Sequence, residues 1–447
     1  MNVKFSKHGV SALGIFALAL LIRVLYLSHL DMPNPFRGDA ISYLNYAINL
    51  IEHQTFSKTL VASPAPDAYW APGYPGFLAL MMLLSVPLGA DSHLVVLVAQ
   101  AVLGAGVAGL TFLIGRIFLS YGWAIFSASL VVLSPHLITM GSYWLAETLF
   151  TFCLLLAIYF FVLPKSSWRT CLYSGIAFAV SYLVNPVVLF AGPILIFARF
   201  VLNSRGPNER LKTRCNAVYL LGPLILVVVL WALRSAVNVP DGALDSGDRI
   251  FANLVIGAHH DYHEIWRANP RDPTNPAYLD RMQYGEDRLG FVAALGARVL
   301  AQPREYLAWY LIEKPLQLWQ WDILTGQGGV YVYPARSTLY QTSQPALISL
   351  VVMKSLHPWL LLSAMIGLFW IWLIYFKRRG VLLVDTATDE PIPIYLFLTI
   401  IYISAVYVVL QSEARYSVPL RPELYLCAAY GLSKIVKLLQ YYKSIRP

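Results

Sequence analysis

Long uninterrupted runs of apolar residues recur along the chain and predict helices that cross a membrane. The first run, residues 10–30, is long enough to cross about 30 Å of hydrocarbon, and no small-residue cleavage site follows it. We therefore expect it to remain as an anchor. Nine similar runs bring the prediction to ten crossings: 94–118, 123–140, 144–163, 171–185, 187–201, 218–237, 359–376, 392–410 and 418–438.

A further apolar run, residues 75–88, is short and contains Pro75 and Pro87, so hydropathy alone does not decide whether it crosses. The basic residues decide it, because Lys and Arg in short loops stay on the cytoplasmic side. An eleventh crossing would place the basic cluster 199–214 and the run 377–379 outside. We therefore predict an interfacial or re-entrant helix on the outer face. With ten crossings and a cytoplasmic N-terminus, the inner basic residues are Lys4, Lys7, Arg116, Lys165, Arg169, Arg199, Arg205, Arg210, Lys212, Arg214, Lys377, Arg378, Arg379, Lys443 and Arg446.

Composition agrees with this pattern, since 58% of the residues are hydrophobic, only 13% are charged and the mean hydropathy is +0.59. These values predict an all-α polytopic membrane protein. The net charge of +9 comes largely from the inner loops, which indicates contact with anionic lipid of the bilayer and no nucleic acid partner. The four cysteines fall within spans or at their inner ends, and the sequence has no Walker loop, GxGxxG string or internal repeat. Neither an outer disulfide framework nor nucleotide chemistry is predicted.

The predicted crossings divide the chain into three parts. Residues 1–237 form an N-terminal transmembrane module with a catalytic first outer loop, 31–93. Residues 238–356 form a mostly helical outer region, and residues 357–447 form the C-terminal transmembrane helices. Within the outer region, 288–321 has helical periodicity with repeated aromatic residues, which predicts helices on the membrane surface that cover a cleft.

An acidic turn directly after the first span is the first candidate for chemistry. Gly38 and Asp39 precede a helical pattern, so we expect Asp39 to be the N-cap of a surface helix. Two interpretations stay open from the residues alone: Asp39 only caps the helix, or it stays ionised near the helix N-terminus and accepts a proton or holds a cation. The helix would rest an apolar face on the membrane (Tyr43, Tyr46, Ala47, Leu50 and Ile51) and turn a polar face to water (Asn45, Asn49 and Glu52).

Two other outer segments carry residues with chemical potential. The turn 69–77, YWAPGYPGF, combines rigid prolines with aromatic faces, which suits either a sugar platform or an interfacial aromatic belt. The string 259–264, HHDYHE, offers imidazoles and carboxylates that would suit zinc, although it lacks the HExxH register. A solvated turn is the simpler interpretation of that string. The weak metal candidates are His259, His260 and His263.

Taken in order, several strings resemble the GT-C glycosyltransferases that use polyprenyl-phosphate sugars, the group of protein mannosyltransferases and aminoarabinose transferases. The order, spacing and predicted sidedness of the strings carry the resemblance, since no single one is specific. They are LIR at 21–23, GDAISYLNYAINL at 38–50, APGYPGFLAL at 71–80, LSPHLITMGSYWLAETLF at 133–150, VNPVVLF at 184–190, LWALRSAV at 230–237 and ARYSVPLRPELYLCAAYGL at 414–432.

The resemblance implies roles for particular residues. Asp39 matches the catalytic carboxylate of the first outer loop, but Ala40 stands where many members have a second acid, so a paired-carboxylate role is in doubt. Glu147 matches the second acidic position. Arg415 is the preferred clamp for a lipid phosphate, because a guanidinium binds phosphate in a bidentate way. The other implied substrate-binding residues are Tyr43, Tyr74, Arg234, Tyr416 and Arg421.

The resemblance also implies a reaction. A sugar carried on a polyprenyl phosphate would be transferred, with inversion, to an acceptor hydroxyl of a glycan, lipid or protein, with Asp39 as general base. The membrane would be the bacterial cytoplasmic membrane, with the site facing outside, and no cofactor is required except a divalent ion at most. Two alternatives remain: a lipid-linked sugar flippase or transporter, and a polysaccharide polymerase or ligase. The span centres are nearly free of charge and the acids lie at one face, which favours surface chemistry over transport.

Overall fold

The computed structural model describes residues 7–164, 167–203, 207–269, 272–324, 326–377 and 392–445. Within these ranges the regular structure is helical, apart from two isolated β-bridges. Several residues used for the prediction of sidedness lie outside the described part of the chain: Lys4, Lys165, Arg205, Arg378, Arg379 and Arg446. The side chains of six more are also outside it: Lys7, Arg210, Lys212, Arg214, Lys377 and Lys443.

The first half of the chain forms the helices α1 to α10. Their bounds are α1 Lys7–Ser28, α2 Asp39–Glu52, α3 Gly73–Leu88, α4 Ser92–Phe118, α5 Tyr121–Leu133, α6 Pro135–Met140, α7 Glu147–Val162, α8 Trp168–Val184, α9 Ala191–Asn203 and α10 Pro207–Asn238, with a 3₁₀ turn at Pro186–Val188. Helix α4 lies at the centre of this half, where it packs against α1, α3, α5 and α7.

The second half consists of short helices followed by three long ones. The short helices are α11 Ser246–Ala258, α12 Tyr262–Ala268, α13 Pro276–Gln283, α14 Arg288–Ala301, α15 Pro303–Ala308, α16 Lys314–Trp319 and α17 Leu339–Thr342. The remaining elements are α18 Gln344–Lys377, α19 Ile392–Val409, the single turn α20 Ala414–Ser417, a 3₁₀ turn at Val418–Leu420 and α21 Arg421–Ile445. The predicted helical character of residues 238–356 is confirmed.

The chain is an integral membrane protein. Five helical segments among the described residues are long and apolar enough to cross a bilayer: His8–Ser28, Ser92–Phe118, Asn216–Asn238, Gln344–Leu373 and Ile392–Val409. The other predicted spans correspond to the shorter apolar helices Tyr121–Leu133, Glu147–Val162 and Pro186–Leu202, to α8 and to α21. Helix α3 is 16 residues long, and its placement at the interface stays a prediction.

Some predicted span boundaries are wrong. The span 123–140 is interrupted after Leu133, because Pro135 has no backbone N–H to continue the helix and instead begins α6. The span 418–438 becomes a continuous α-helix only at Arg421. The division of the chain at 356 stays a prediction, and helix α18 runs unbroken across that position from Gln344 through Pro358.

Helix α2 also differs from its prediction. Gly38 is the N-cap, at φ 51°, and Asp39 is the first helical residue, so the carboxylate does not cap the helix. The predicted membrane-facing residues Tyr43 and Tyr46 are buried inside the protein, since α2 packs on α3. Asn49, predicted to face water, is fully buried and its amide donates to the carbonyl oxygens of Ser57 at 2.8 Å and Thr59 at 3.0 Å. The loop after α2 folds back over this polar face.

The outer region has a small core of its own, formed by Phe251, Val255, Ala258, Tyr262, Ala277 and Phe291. It is joined to the last membrane hairpin through Lys314, whose Nζ donates to the carbonyl oxygens of Gly257 and Leu410, each at 2.8 Å. Gly257 lies so close to Leu410 that a Cβ there would collide with its backbone. This contact fixes helix α11 beside the turn that carries Arg415.

Candidate active site

Three residues from distant parts of the chain meet in one ion-pair cluster. Arg415 Nη1 lies 3.0 Å from Asp39 Oδ2, and Arg415 Nε donates to Glu147 Oε1. Asp39 begins α2, Glu147 begins α7 and Arg415 lies in α20. Each carboxylate is thus at a helix N-terminus, where the helix dipole stabilises negative charge. The structure brings together three of the predicted site residues.

The two carboxylates differ in their access to solvent. The side chain of Asp39 is 37% exposed, whereas those of Glu147 and Arg415 are 10% and 11% exposed. Burial alone would lower the pKa of Arg415, but the neighbouring Glu147 and Asp39 outweigh it and raise that pKa well above its ordinary value. A fixed positive charge between two carboxylates leaves the cluster with an excess of negative charge. Asp39 is the member that an incoming molecule can reach.

A wall of aromatic side chains surrounds the cluster. Tyr43 packs edge-on against Trp70 and Tyr74, with ring centroids 4.7 and 4.9 Å apart. The hydroxyl of Tyr333 accepts a 3.4 Å hydrogen bond from the backbone N–H of Ala40, next to Asp39. Burial raises the pKa of Tyr333 to about 12, so its hydroxyl stays neutral. Sequence reasoning missed Tyr333, because nothing local in residues 326–337 points to a turn almost three hundred positions away.

Tyr43 and Tyr74, predicted to bind substrate, are both buried. The hydroxyl of Tyr74 donates to Gln100 Oε1 at 3.0 Å, and the amide of Gln100 in turn donates to the carbonyl oxygen of Tyr143 at 2.8 Å. These tyrosines therefore support the turn that holds Asp39. Tyr416 is half-buried and stacks on Tyr407 with ring centroids 4.8 Å apart.

Two of the predicted arginine clamps are engaged elsewhere. Arg234 donates to the carbonyl oxygens of Asp67 at 2.6 Å and Phe56 at 3.3 Å, so it holds the loop that follows α2. Arg421 is fully buried, and its Nη1 lies 2.8 Å from His357 Nδ1. Neither forms an ion pair with Asp39 or Glu147.

A different arginine faces the cluster, and sequence reasoning missed it. Arg249, on α11, is half-buried and lies over the ring of Trp70, with its guanidinium carbon 3.6 Å from the ring centroid. Trp70 in turn packs edge-on against Tyr43, which lies one helical turn after Asp39 on α2. Among the described carboxylates none forms an ion pair with Arg249. It is a cation held by an aromatic ring and open to an anion.

The three histidines proposed as metal ligands have separate partners. His259 Nε2 lies 2.9 Å from Asp280 Oδ2, His260 packs on Trp309, and His263 Nε2 lies 3.1 Å from the Ser412 carbonyl oxygen. In the described ranges no group of three or more His, Cys, Asp or Glu side chains is placed to hold a metal ion. The Asp39–Glu147 pair does not suit one either, because the Arg415 guanidinium occupies the space between the carboxylates.

Comparison with solved structures supports the fold. The apo oligosaccharyltransferase of Archaeoglobus fulgidus is 15% identical and aligns over 99% of this chain and 52% of its own, with a TM-score of 0.51. Weaker likenesses exist to Cupriavidus metallidurans ArnT bound to undecaprenyl phosphate, which is 13% identical over 95% of this chain and 77% of its own, with a TM-score of 0.40. The Saccharomyces cerevisiae protein O-mannosyltransferase Pmt1-Pmt2 complex bound to the sugar donor is 17% identical over 57% of this chain and 37% of its own, with a TM-score of 0.43.

The chain spans about half the length of the oligosaccharyltransferases that it matches. No protein-family model matches the sequence, and no curated protein matches it either. At these identities the alignments establish the fold alone. The chain therefore shares its fold with the part of the Archaeoglobus fulgidus oligosaccharyltransferase to which it aligns.

Proposed function

We propose that this protein is a glycosyltransferase that moves a sugar from a polyprenyl-phosphate carrier to an acceptor hydroxyl, at a site on the outer face of a bacterial cytoplasmic membrane. The observation that carries the proposal is the Asp39–Arg415–Glu147 cluster at the convergence of three turns predicted to be outer. The cluster combines an accessible carboxylate, Asp39, with a fixed cation, Arg415, beside the aromatic side chains that surround it. The GT-C fold supports it further.

Asp39 acts as the general base. Arg415 holds Oδ2, so Oδ1 of this partly exposed carboxylate is free to accept the proton of the acceptor hydroxyl. The acceptor oxygen attacks the anomeric carbon as the bond from that carbon to the phosphate oxygen breaks, and the electron pair leaves with the polyprenyl phosphate. Attack opposite the leaving group inverts the anomeric centre. Ala40 leaves Asp39 without an adjacent acid, so a single carboxylate performs this step.

Glu147 and Arg415 serve to position Asp39. A buried guanidinium that is bound to two carboxylates has little capacity left for a phosphate, so we assign the clamping role expected of Arg415 to Arg249. Arg249 would stabilise the negative charge that grows on the leaving phosphate, which is the largest electrostatic demand of the reaction. Because Glu147 is nearly buried, we propose that it orients Arg415 and does not touch substrate.

The test is a transfer assay with the purified full chain in nanodiscs. Polyprenyl-phosphate donors carrying radiolabelled hexoses or pentoses are combined with a panel of lipid A, polysaccharide, lipid and peptide acceptors. We expect stoichiometric appearance of labelled acceptor and free polyprenyl phosphate, and the Asp241→Asn variant, which changes an exposed outer carboxylate, should behave as wild type. Movement of intact donor between leaflets of proteoliposomes, with no cleavage of any donor, would instead identify a flippase. Joining of sugars into chains from a diphosphate carrier would identify a polymerase or ligase.

A further inference from the structure

A buried arginine within the first membrane span has almost no hydrogen-bond partners. Arg23, on α1, is 2% exposed, and its Nη1 donates to the Ala19 carbonyl oxygen at 3.2 Å. Its Nε and Nη2 have no partner among the described residues. A guanidinium carries five N–H donors, and a buried charge is costly unless it is paired. The span centres were predicted to be nearly free of charge, and Arg23 is an exception.

The arginine lines a small cavity together with a member of the site cluster. The cavity has a volume of about 10 Å³ and is bounded by Arg23, Glu147, Thr148 and Thr151 and by the apolar side chains of neighbouring helices. Glu147 Oε2, the oxygen that does not bind Arg415, is buried and has no partner among the described residues. A cavity of this size accommodates one water molecule when two to four polar groups surround it.

A glycine on the neighbouring helix makes room for the guanidinium. A Cβ at Gly104, on α4, would lie 2.5 Å from Arg23 Nε. Gly109 lies on the same helix and also faces α1, but a Cβ there would come no closer than 3.6 Å to the Ala12 carbonyl oxygen. The surface of α4 therefore leaves room for the Arg23 guanidinium at the turn that carries Gly104.

We propose that one buried water molecule links Arg23 to Glu147 and that Arg23 is a positioning residue of the site. The charges then alternate along a line of four residues, Arg23, Glu147, Arg415 and Asp39. Arg23 holds Glu147 through the water, Glu147 holds Arg415, and Arg415 holds the base. The catalytic part of this inference rests on the proposed function, whereas the link between Arg23 and Glu147 does not.

The link is tested first without any activity. Thermal unfolding of the full chain in detergent is compared for Arg23→Met, Glu147→Gln and the double variant. We expect each single variant to lower the Tm and the double variant to lower it by clearly less than the sum, because each single change leaves the other group unpaired. Additive losses would overturn the link, whatever reaction the protein catalyses. A map that resolves ordered waters should show density between Arg23 and Glu147 Oε2, and continuous apolar packing there would overturn the bridging water.

The positioning role is tested by the pH profile of transfer. Removing one cation from the line of four charges should move the acidic limb of the kcat profile of Arg23→Met to higher pH. We expect kcat to fall by about tenfold with the donor KM unchanged. The charged or titratable groups around Glu147 are Arg23, Asp39, Tyr43, Tyr74, Tyr333, Tyr407 and Arg415.

A second pair of variants distinguishes a loss of positioning from a general loss of folding. Gly104→Ala displaces the Arg23 guanidinium and should reproduce the shifted pH profile, whereas Gly109→Ala should keep the wild-type profile. Arg23→Lys should restore part of kcat, since it returns the charge but not the planar group. A wild-type kcat and pH profile in both Arg23→Met and Gly104→Ala would overturn the positioning role.

Discussion

Two carboxylate–guanidinium clusters in this protein have opposite stoichiometry. At the N-termini of α2 and α7 one guanidinium, Arg415, is shared by two carboxylates, Asp39 and Glu147. In the outer region one carboxylate, Asp280, is shared by two bases: Arg298 binds both oxygens, at 2.6 and 2.9 Å, and His259 lies 2.9 Å away.

The two clusters differ in whether the protein itself satisfies their carboxylate oxygens. Both Asp280 oxygens accept hydrogen bonds from the protein, so the Asp280 cluster is complete without a ligand. The Asp39 cluster has an excess of negative charge and leaves one oxygen of an accessible carboxylate without a partner from Arg415. A carboxylate with a free oxygen beside a fixed cation can accept a proton from a substrate. A carboxylate whose two oxygens both accept hydrogen bonds from the protein has no oxygen left for that step.

The largest contrast is expected from removing the two arginines. Arg415→Met leaves two carboxylates without their cation, one of them buried, and should cost about 3–5 kcal/mol of stability and abolish measurable transfer. Arg298→Met removes a pair whose arginine is about one-third exposed, and should cost no more than about 1 kcal/mol with transfer retained. Thermal unfolding and transfer rate are measured side by side. Equal losses in the two variants would show that the clusters do not differ in kind.

An intermediate effect is expected at Arg249. Removing a charge-assisted phosphate contact worth about 1.5–3 kcal/mol should raise the donor KM by roughly 10- to 100-fold in Arg249→Gln. Arg288→Gln is the matched control, since Arg288 also belongs to the outer region but is paired with Asp248 at 2.7 Å and is exposed. Donor titrations in the transfer assay report both values. An unchanged KM in Arg249→Gln would remove this residue from the phosphate site.

The smallest effect is expected in the pH dependence of the Tm, to which the Asp280 cluster contributes. Burial would raise the pKa of Asp280, but hydrogen bonds from Arg298 and His259 outweigh it and lower that pKa below its ordinary value of 3.8. A carboxylate with a lowered pKa stabilises the folded state above its unfolded pKa, and this contribution is lost as the pH falls through the folded value. Wild type should therefore lose Tm below about pH 4, measured by tryptophan fluorescence in detergent. The Tm of Asp280→Asn should be lower than that of wild type at pH 7 and should fall less as the pH is lowered. Parallel curves of Tm against pH for the two proteins would contradict this.

The members of the site cluster could be predicted from the sequence, because predicted sidedness and the family resemblance select the same three residues. Counting crossings and basic loops places Asp39, Glu147 and Arg415 on one face, and the structure brings these three together. The type of fold followed from hydropathy in the same way. Helix breaks were harder to predict, since Ser134 and Pro135 interrupt a run that is apolar on both sides.

Other parts of the site could not be predicted because they depend on tertiary docking. Arg249 contacts Trp70 from α11, which Lys314 joins to the turn at Leu410, and none of these residues has a local pattern that reveals its partner. Helical periodicity likewise placed Asn49 toward water, but the following loop covers it.

The most direct test of Asp39 as the base is a single-turnover comparison of wild type with Asp39→Asn at saturating donor. Asparagine keeps the size and polarity of the side chain but cannot take the proton. The donor should bind to the variant about as well as to wild type, while the transfer step slows by roughly 10²- to 10⁴-fold, the range of general base catalysis. Transfer at the wild-type rate in a variant that binds donor normally would contradict the assignment of Asp39 as the base.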